Sequence, residues 1–297
     1  GKKMHFQESR FFGKLIAYTQ SMEESECYST KRPSSDAPKK VIWDTDMDSD
    51  IDDAAALAIL HHFAEVGEAE VLATISGSPM DYSVELVDVI NTYYGRPDVP
   101  TGITQYGEGN SWILQGNKVV SKYPHDVTAE NAPAAVEVYR RILSKQPDSS
   151  VTIITVGHLT NLARLMEASG DSYSSLNGLE LVEQKVKETY ILGGGFPCQE
   201  RDMGNFDKDV PSAHKVAEKW PVKIHWIGAD EDFVKQTISG RGLKQVKKDN
   251  PVRYTYKLAD RLDSGHHSAD LICTYIAILG PDPYFDVTRY GYNIIEA

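Results

Sequence analysis

Six aspartates fall within ten residues, at Asp44, Asp46, Asp48, Asp50, Asp52 and Asp53. They cannot all stay ionised side by side without a countercharge, because two like charges ~4 Å apart repel by about 4 kcal/mol at an effective dielectric near 20. A divalent cation removes that conflict. Ligands that are all oxygen favour calcium or magnesium, and the lack of a neighbouring Cys/His set argues against zinc. The bland alternative is a solvated acidic loop at the positive end of a helix beginning near Asp53. It suits Asp48 or Asp50 singly better than the whole run, which directly follows the apolar Val41-Ile42-Trp43.

Something must hold such a run in place. From Lys40 onward, short β-branched stretches at 41–43, 71–75, 151–156, 188–192 and 222–227 alternate with helical periodicity at 53–63, 84–94, 132–144, 160–168 and 211–219, and a late helix follows at 269–279. This alternation predicts an α/β fold with an open, mainly parallel (mixed) sheet flanked by helices. The strands are followed in turn by the aspartate run, by Ser76-Gly77-Ser78, by Gly157-His158-Leu159-Thr160-Asn161 and by Gly193-Gly194-Gly195. Ligands of open α/β sheets bind at the carboxyl ends of the strands, so these four segments imply one pocket.

Two metal-loop patterns fail on spacing. An EF-hand starting at Asp44 needs Gly sixth and Glu twelfth, where Ser49 and Ala55 stand. A phosphatase of the haloacid dehalogenase type also begins with a strand and Asp-X-Asp, but Asp48 occupies the place of its Thr or Val, which leaves it a distant rival. A third pattern fits at five separated points: Val41 to Asp46 with Asp52-Asp53-Ala54, then Gly157 to Leu162, Gly193 to Phe196, Asn205-Phe206 with Asp209, and Ser268-Ala269-Asp270 opening a helix. Over roughly residues 40–279 the chain resembles the inosine-uridine preferring nucleoside hydrolases.

That resemblance implies a calcium-dependent hydrolase of N-glycosidic, ribosyl bonds. It places on Asp46 both a calcium ligand and the base that activates water. Asp53, the Val156 carbonyl and Asp270 complete the implied calcium set, and Asp52 and Asn205 are implied to hold the sugar. It also implies a small-molecule substrate and a homo-oligomer. Hydrolysis of a ribosyl bond needs an activated water, stabilisation of an oxocarbenium-like sugar and help for the leaving base, which carboxylates around a cation can supply.

The chain departs from the family at several places. Two extra residues lie between Asp46 and Asp52, so Asp48 and Asp50 have no counterparts. Met203 replaces a sugar-shell glutamate, with Asp202 or Glu200 on the same loop, and Ser78 alone matches an expected asparagine. Ala269 stands where a leaving-group acid is common. His266 and His267 offer an imidazole from the adjoining turn, His267 being the candidate toward substrate, and surface histidines are the competing reading. His158 reads as a packing or turn residue beside the metal. Trp112 is a candidate for an aromatic base pocket, whereas Tyr93 and Tyr94 read as core or rim packing. These departures keep a second hypothesis open, a calcium-dependent carbohydrate-binding or catalytically silent relative, or a hydrolase of another glycoside.

Composition sets the outer bounds. A chain of 297 residues with 41% hydrophobic content can bury a large core. We read residues 1–38 as a polar N-terminal extension or linker and 39–297 as one domain. The net charge of −12 argues against nucleic acid or an anionic membrane as partner, and the basic stretch 241–248 reads as surface. Cys27, Cys198 and Cys273 lack the spacing of a zinc site or a disulfide scaffold, and no apolar run approaches membrane-spanning length. The expected protein is soluble, either cytoplasmic or exported after removal of a leader.

Overall fold

A computed structural model describes residues 37–195, 204–228, 237–285, 287 and 293–295. Cys27, Cys198, Phe196, Glu200, Asp202 and Met203 lie outside them, as does nearly all of the expected N-terminal extension.

Six strands form one sheet in the order β3-β2-β1-β4-β5-β6, namely β1 (Lys39–Thr45), β2 (Ala69–Ser76), β3 (Thr101–Ile103), β4 (Val151–Thr155), β5 (Val186–Leu192) and β6 (Ile224–Ile227). Every pairing in it is parallel. Antiparallel pairing is confined, among the described residues, to a separate ribbon of β7 (Ile238–Ser239) and β8 (His266–His267). The helices between are α1 (Asp52–Glu65), α2 (Ser83–Tyr93), α3 (Gly116–Val120), α4 (Ala135–Leu143), α5 (Thr160–Glu167), α6 (Gly178–Lys185), α7 (Val210–Lys219), α8 (Pro251–Leu258) and α9 (Ala269–Leu279).

The central strand β1 shows why the sheet forms here. Side chains of a strand alternate between faces, and Val41 and Trp43 join a core under α1, α2, α8 and α9, while Ile42 joins a second core under α4 to α7. All three are fully buried, as expected for a parallel strand covered on both sides. Truncating a side chain such as Trp43 in this position costs about 3–5 kcal/mol. Helix α1 begins with two acidic residues and continues Ala-Ala-Ala, and it is buried from Asp52 to Phe63. Small residues let it lie close between the sheet and α9, and the Trp43 Nε1 donates to Thr274 Oγ1 of α9 at 3.1 Å.

The register aligns the strand ends. Asp44 stands beside Ile75 and Thr155, Thr45 beside Ser76, Thr155 beside Ile191, and Leu192 beside Ile227. The loops after β1, β2, β4 and β5 therefore open at one edge of the sheet, as the alternation predicts. Helices α3, α6 and α8, the 3-10 turn Arg241–Gln245, strand β3 and the β7–β8 ribbon were not foreseen from the periodicity.

Candidate active site and metal centre

Alternation along β1 turns Asp44 toward the second core. There the Tyr139 hydroxyl of α4 donates to its Oδ2 at 2.8 Å and the Asn161 amide of α5 donates at 3.1 Å. Burial raises the Asp44 carboxyl to about 7, against the pull of those two hydrogen bonds. Asp44 thus ties three elements together below the loop.

Beyond it the chain leaves the strand, and the loop from β4 passes very close. A Cβ on Gly157 would stand 2.4 Å from the Asp46 amide nitrogen, so only glycine permits this approach. The next residue, His158, sets its Nε2 2.8 Å from Asp46 Oδ2. Burial works against charging that imidazole, but Asp46 and then Asp48 outweigh it and raise its pKa. His158 is therefore more than a turn residue, since it holds the carboxylate expected to be the base.

Asp52, Asp53 and Asp270 bring carboxylate oxygens within 4.8 Å of one another, all buried. Asp52 and Asp53 occupy the first turn of α1 and Asp270 the first turn of α9, so two helix N-termini converge on the cluster. The Asp270 amide donates to Asp52 Oδ2 at 3.3 Å, and Thr45 Oγ1 donates to Asp53 Oδ1. Burial and the neighbouring carboxylates push all three upward, Asp52 to about 6. The Asp46 charge adds to the repulsion on Asp53 and Asp270. Among the described residues no lysine or arginine pairs with Asp53 or Asp270. A buried carboxylate set without a countercharge, all oxygen, fits a hard divalent cation.

Of the remaining sequence candidates, Asn205 sits in this region, but its amide donates to the Val156 carbonyl at 2.7 Å and to the Leu192 carbonyl at 3.0 Å. It thus reaches the very carbonyl implied as a ligand. Ser78 is fully buried, and its hydroxyl accepts from the Met80 amide at 3.3 Å and lies near Asp48. The Asn110 amide donates to Asp48 Oδ2 at 3.0 Å, which anchors the loop carrying Trp112. Burial and then Asp46 raise the Asp48 carboxyl. Trp112 itself is 62% exposed, its ring 6.0 Å from that of His266. Tyr94 stacks on His61 at 5.6 Å with Tyr93 edge-on to it, the packing role expected of both.

Asp50 has a role that its spacing did not reveal. His266 Nε2 lies 2.5 Å from its Oδ1 and His267 Nε2 3.0 Å from its Oδ2, while His267 is also 3.9 Å from Asp52 Oδ1. Although burial acts in the other direction, the two histidines hold Asp50 well below the usual carboxylate range. Tyr139, too, was missed as a site residue, and only its place on an amphipathic helix could have suggested it.

None of the curated proteins matches this chain in sequence. Solved structures share its fold. A plant nucleoside hydrolase is 19% identical with a TM-score of 0.59, covering 82% of this chain and 79% of its own. An inosine-uridine preferring nucleoside hydrolase from Bacillus anthracis is 16% identical with a TM-score of 0.57, over 80% and 82%. The type III effector XopQ, solved in complex with adenosine diphosphate ribose, is 13% identical with a TM-score of 0.62, over 93% and 87%. The family model described as inosine-uridine preferring nucleoside hydrolase matches residues 41–278, so nearly the whole described domain, aspartate loop and α9 included, belongs to that family of glycosidases.

Proposed function

We propose that the protein hydrolyses the N-glycosidic bond of a nucleoside or a related ribosyl compound, with calcium as cofactor and Asp46 as the base. The observation that carries this reading is the convergence of Asp52, Asp53 and Asp270 at the carboxyl edge of the sheet, with the Asp46 charge acting on two of them and, among the described residues, no balancing lysine or arginine. Asp46, Asp53, Asp270 and the Val156 carbonyl would hold the ion, which when bound supplies positive charge that orients water and the sugar hydroxyls.

The chain's own groups account for the remaining needs. Asp46 is less enclosed than its neighbours, with a side chain 16% exposed, so it can face an incoming water and accept its proton. His158 fixes the orientation of that carboxylate. Asp52 is placed to accept hydrogen bonds from ribose hydroxyls and to stabilise positive charge developing on the sugar. His267 stands beside Asp52 on the side toward α9, where a leaving base could take a proton, and Trp112 at the rim offers a ring for stacking. Helix-spanning of a membrane does not enter, since no described helix is long and apolar enough to cross one.

A second reading is a binding protein of the same fold. It is favoured by Asn205, whose amide donates to two main-chain carbonyls. The assay that separates the two measures free reducing sugar from a panel of purine and pyrimidine nucleosides and adenosine diphosphate ribose, with calcium present or chelated. Turnover lost on chelation and in Asp46→Ala supports the hydrolase; saturable binding with no released sugar supports the binding protein.

A further inference from the structure

We propose that Asp50, Asp52, His266 and His267 form a second cation site, of mixed nitrogen and oxygen ligands, that takes a divalent transition metal and shares Asp52 with the all-carboxylate cluster. It goes beyond the hydrolase reading and stands on metal binding alone; with metal bound, His267 Nε2 is a ligand and no longer gives a proton to the leaving base.

One ligand atom from each of these four residues lies within 4.8 Å of the other three. Four donors set ~2.1 Å from a tetrahedral ion stand about 3.4 Å apart. The contacts of 2.5, 3.0 and 3.9 Å from the imidazoles to Asp50 and Asp52 straddle that spacing. Imidazole nitrogen selects zinc, copper, iron or nickel over calcium, with cobalt as the spectroscopic stand-in for zinc, whereas the neighbouring oxygen set does the reverse.

Two features point to a ligand rather than to a simple ion pair. His266 is 94% buried, yet its Nε2 makes no aligned hydrogen bond despite its closeness to Asp50. A buried imidazole nitrogen aimed at a carboxylate without an aligned N–H can give up its proton and turn its lone pair to a cation, which then replaces the imidazolium as the countercharge of Asp50. Secondly, neighbouring residues of a strand ordinarily point to opposite faces, but the rings of His266 and His267 lie 3.9 Å apart and both Nε2 atoms converge on Asp50. The turn before them is built for this. Gly265 has φ +75°, and a Cβ there would stand 2.5 Å from the Ser239 carbonyl oxygen and 2.4 Å from Ile238, so a side chain would part the β7–β8 ribbon that presents both histidines.

The test uses the full chain, stripped with a chelator, returned to excess Ca2+ and titrated with Co2+, whose visible absorption and dialysis equilibrium report nitrogen-ligated metal. The expected result is one equivalent of Co2+ taken up while bound Ca2+ is retained, with affinity at least ~100-fold lower in a His266→Ala/His267→Ala double variant. Should that variant unfold, the single variants His266→Gln and His267→Gln, checked by thermal melting, replace it. Absence of Co2+ uptake, one-for-one displacement of Ca2+, or uptake unchanged in the histidine variants overturns the proposal. Failure of the hydrolase reading shows instead as absence of released sugar and leaves the Co2+ stoichiometry as it is.

Discussion

His158 Nε2 and Asp46 Oδ2 face each other at 2.8 Å across the gap between the β4 and β1 loops. The pair sets up a hierarchy that mutation can read. Asp46→Asn should lower kcat for nucleoside hydrolysis by about 10²–10⁴ because the proton acceptor is gone. His158→Gln, which removes only the orienting imidazole, should cost about 10–100-fold. Steady-state sugar release, with circular dichroism to confirm folding, orders the two; equal losses would place His158 on the same footing as Asp46.

Gly157→Ala should disturb the same loop without touching a functional group. Its Cβ would meet the Asp46 main chain at 2.4 Å, so the β1 and β4 loops must part. We expect a stability loss of about 1–3 kcal/mol, read from urea denaturation, together with a fall in activity larger than that of any exposed alanine substitution in α7.

Calcium should stabilise the folded chain. At a concentration 100-fold above the dissociation constant the gain is about 2.7 kcal/mol, equivalent to several degrees in Tm. Asp270→Asn should abolish the calcium-dependent shift measured by differential scanning fluorimetry. A shift of undiminished size in that variant would remove Asp270 from the ligand set.

His61 should make stability fall on acidification. It is fully buried, and burial lowers its pKa to about 3, with Nε2 2.8 Å from Asn91 Oδ1. Because its folded pKa lies below the ordinary 6.5, the unfolded chain binds more protons between pH 6.5 and pH 3, and stability is lost as pH falls through that window. The loss by pH 5 is about 2 kcal/mol. His61→Gln, which retains a donor to Asn91, should flatten the difference between denaturation midpoints at pH 7 and pH 5.

How much of this was legible in the sequence follows from what periodicity can carry. The five long strands and six helices expected between residues 41 and 279 are all present, because each buries an apolar face wide enough to leave a pattern. Strand β3 has only three residues and α3 five, too few for a pattern, and the other two unforeseen helices, α6 and α8, are short. Their caps were nonetheless written in the chain, as Asn177 with Glu180 in a capping box and Asn250 before Pro251. That Asp52, Asp53 and Asp270 lie together is in keeping with the family motif. The partners of Asp44, Asp48 and Asp50 did not follow from it, since Tyr139, Ser78, Asn110, His266 and His267 reach them across contacts that no local spacing encodes.

Asp52 and Asp270 lie 218 residues apart in the chain, yet they meet through a direct bond, and Trp43 and Lys39 of the first strand are fastened to Thr274 and Ala277 of the last helix. Asp270 therefore joins Asp52 and Asp53 only where α9 is docked on the sheet and α1. Without that docking each half carries a dispersed, solvated set of acids that cannot grip an ion. Metal uptake in this protein is a report that the two ends of the domain have found each other.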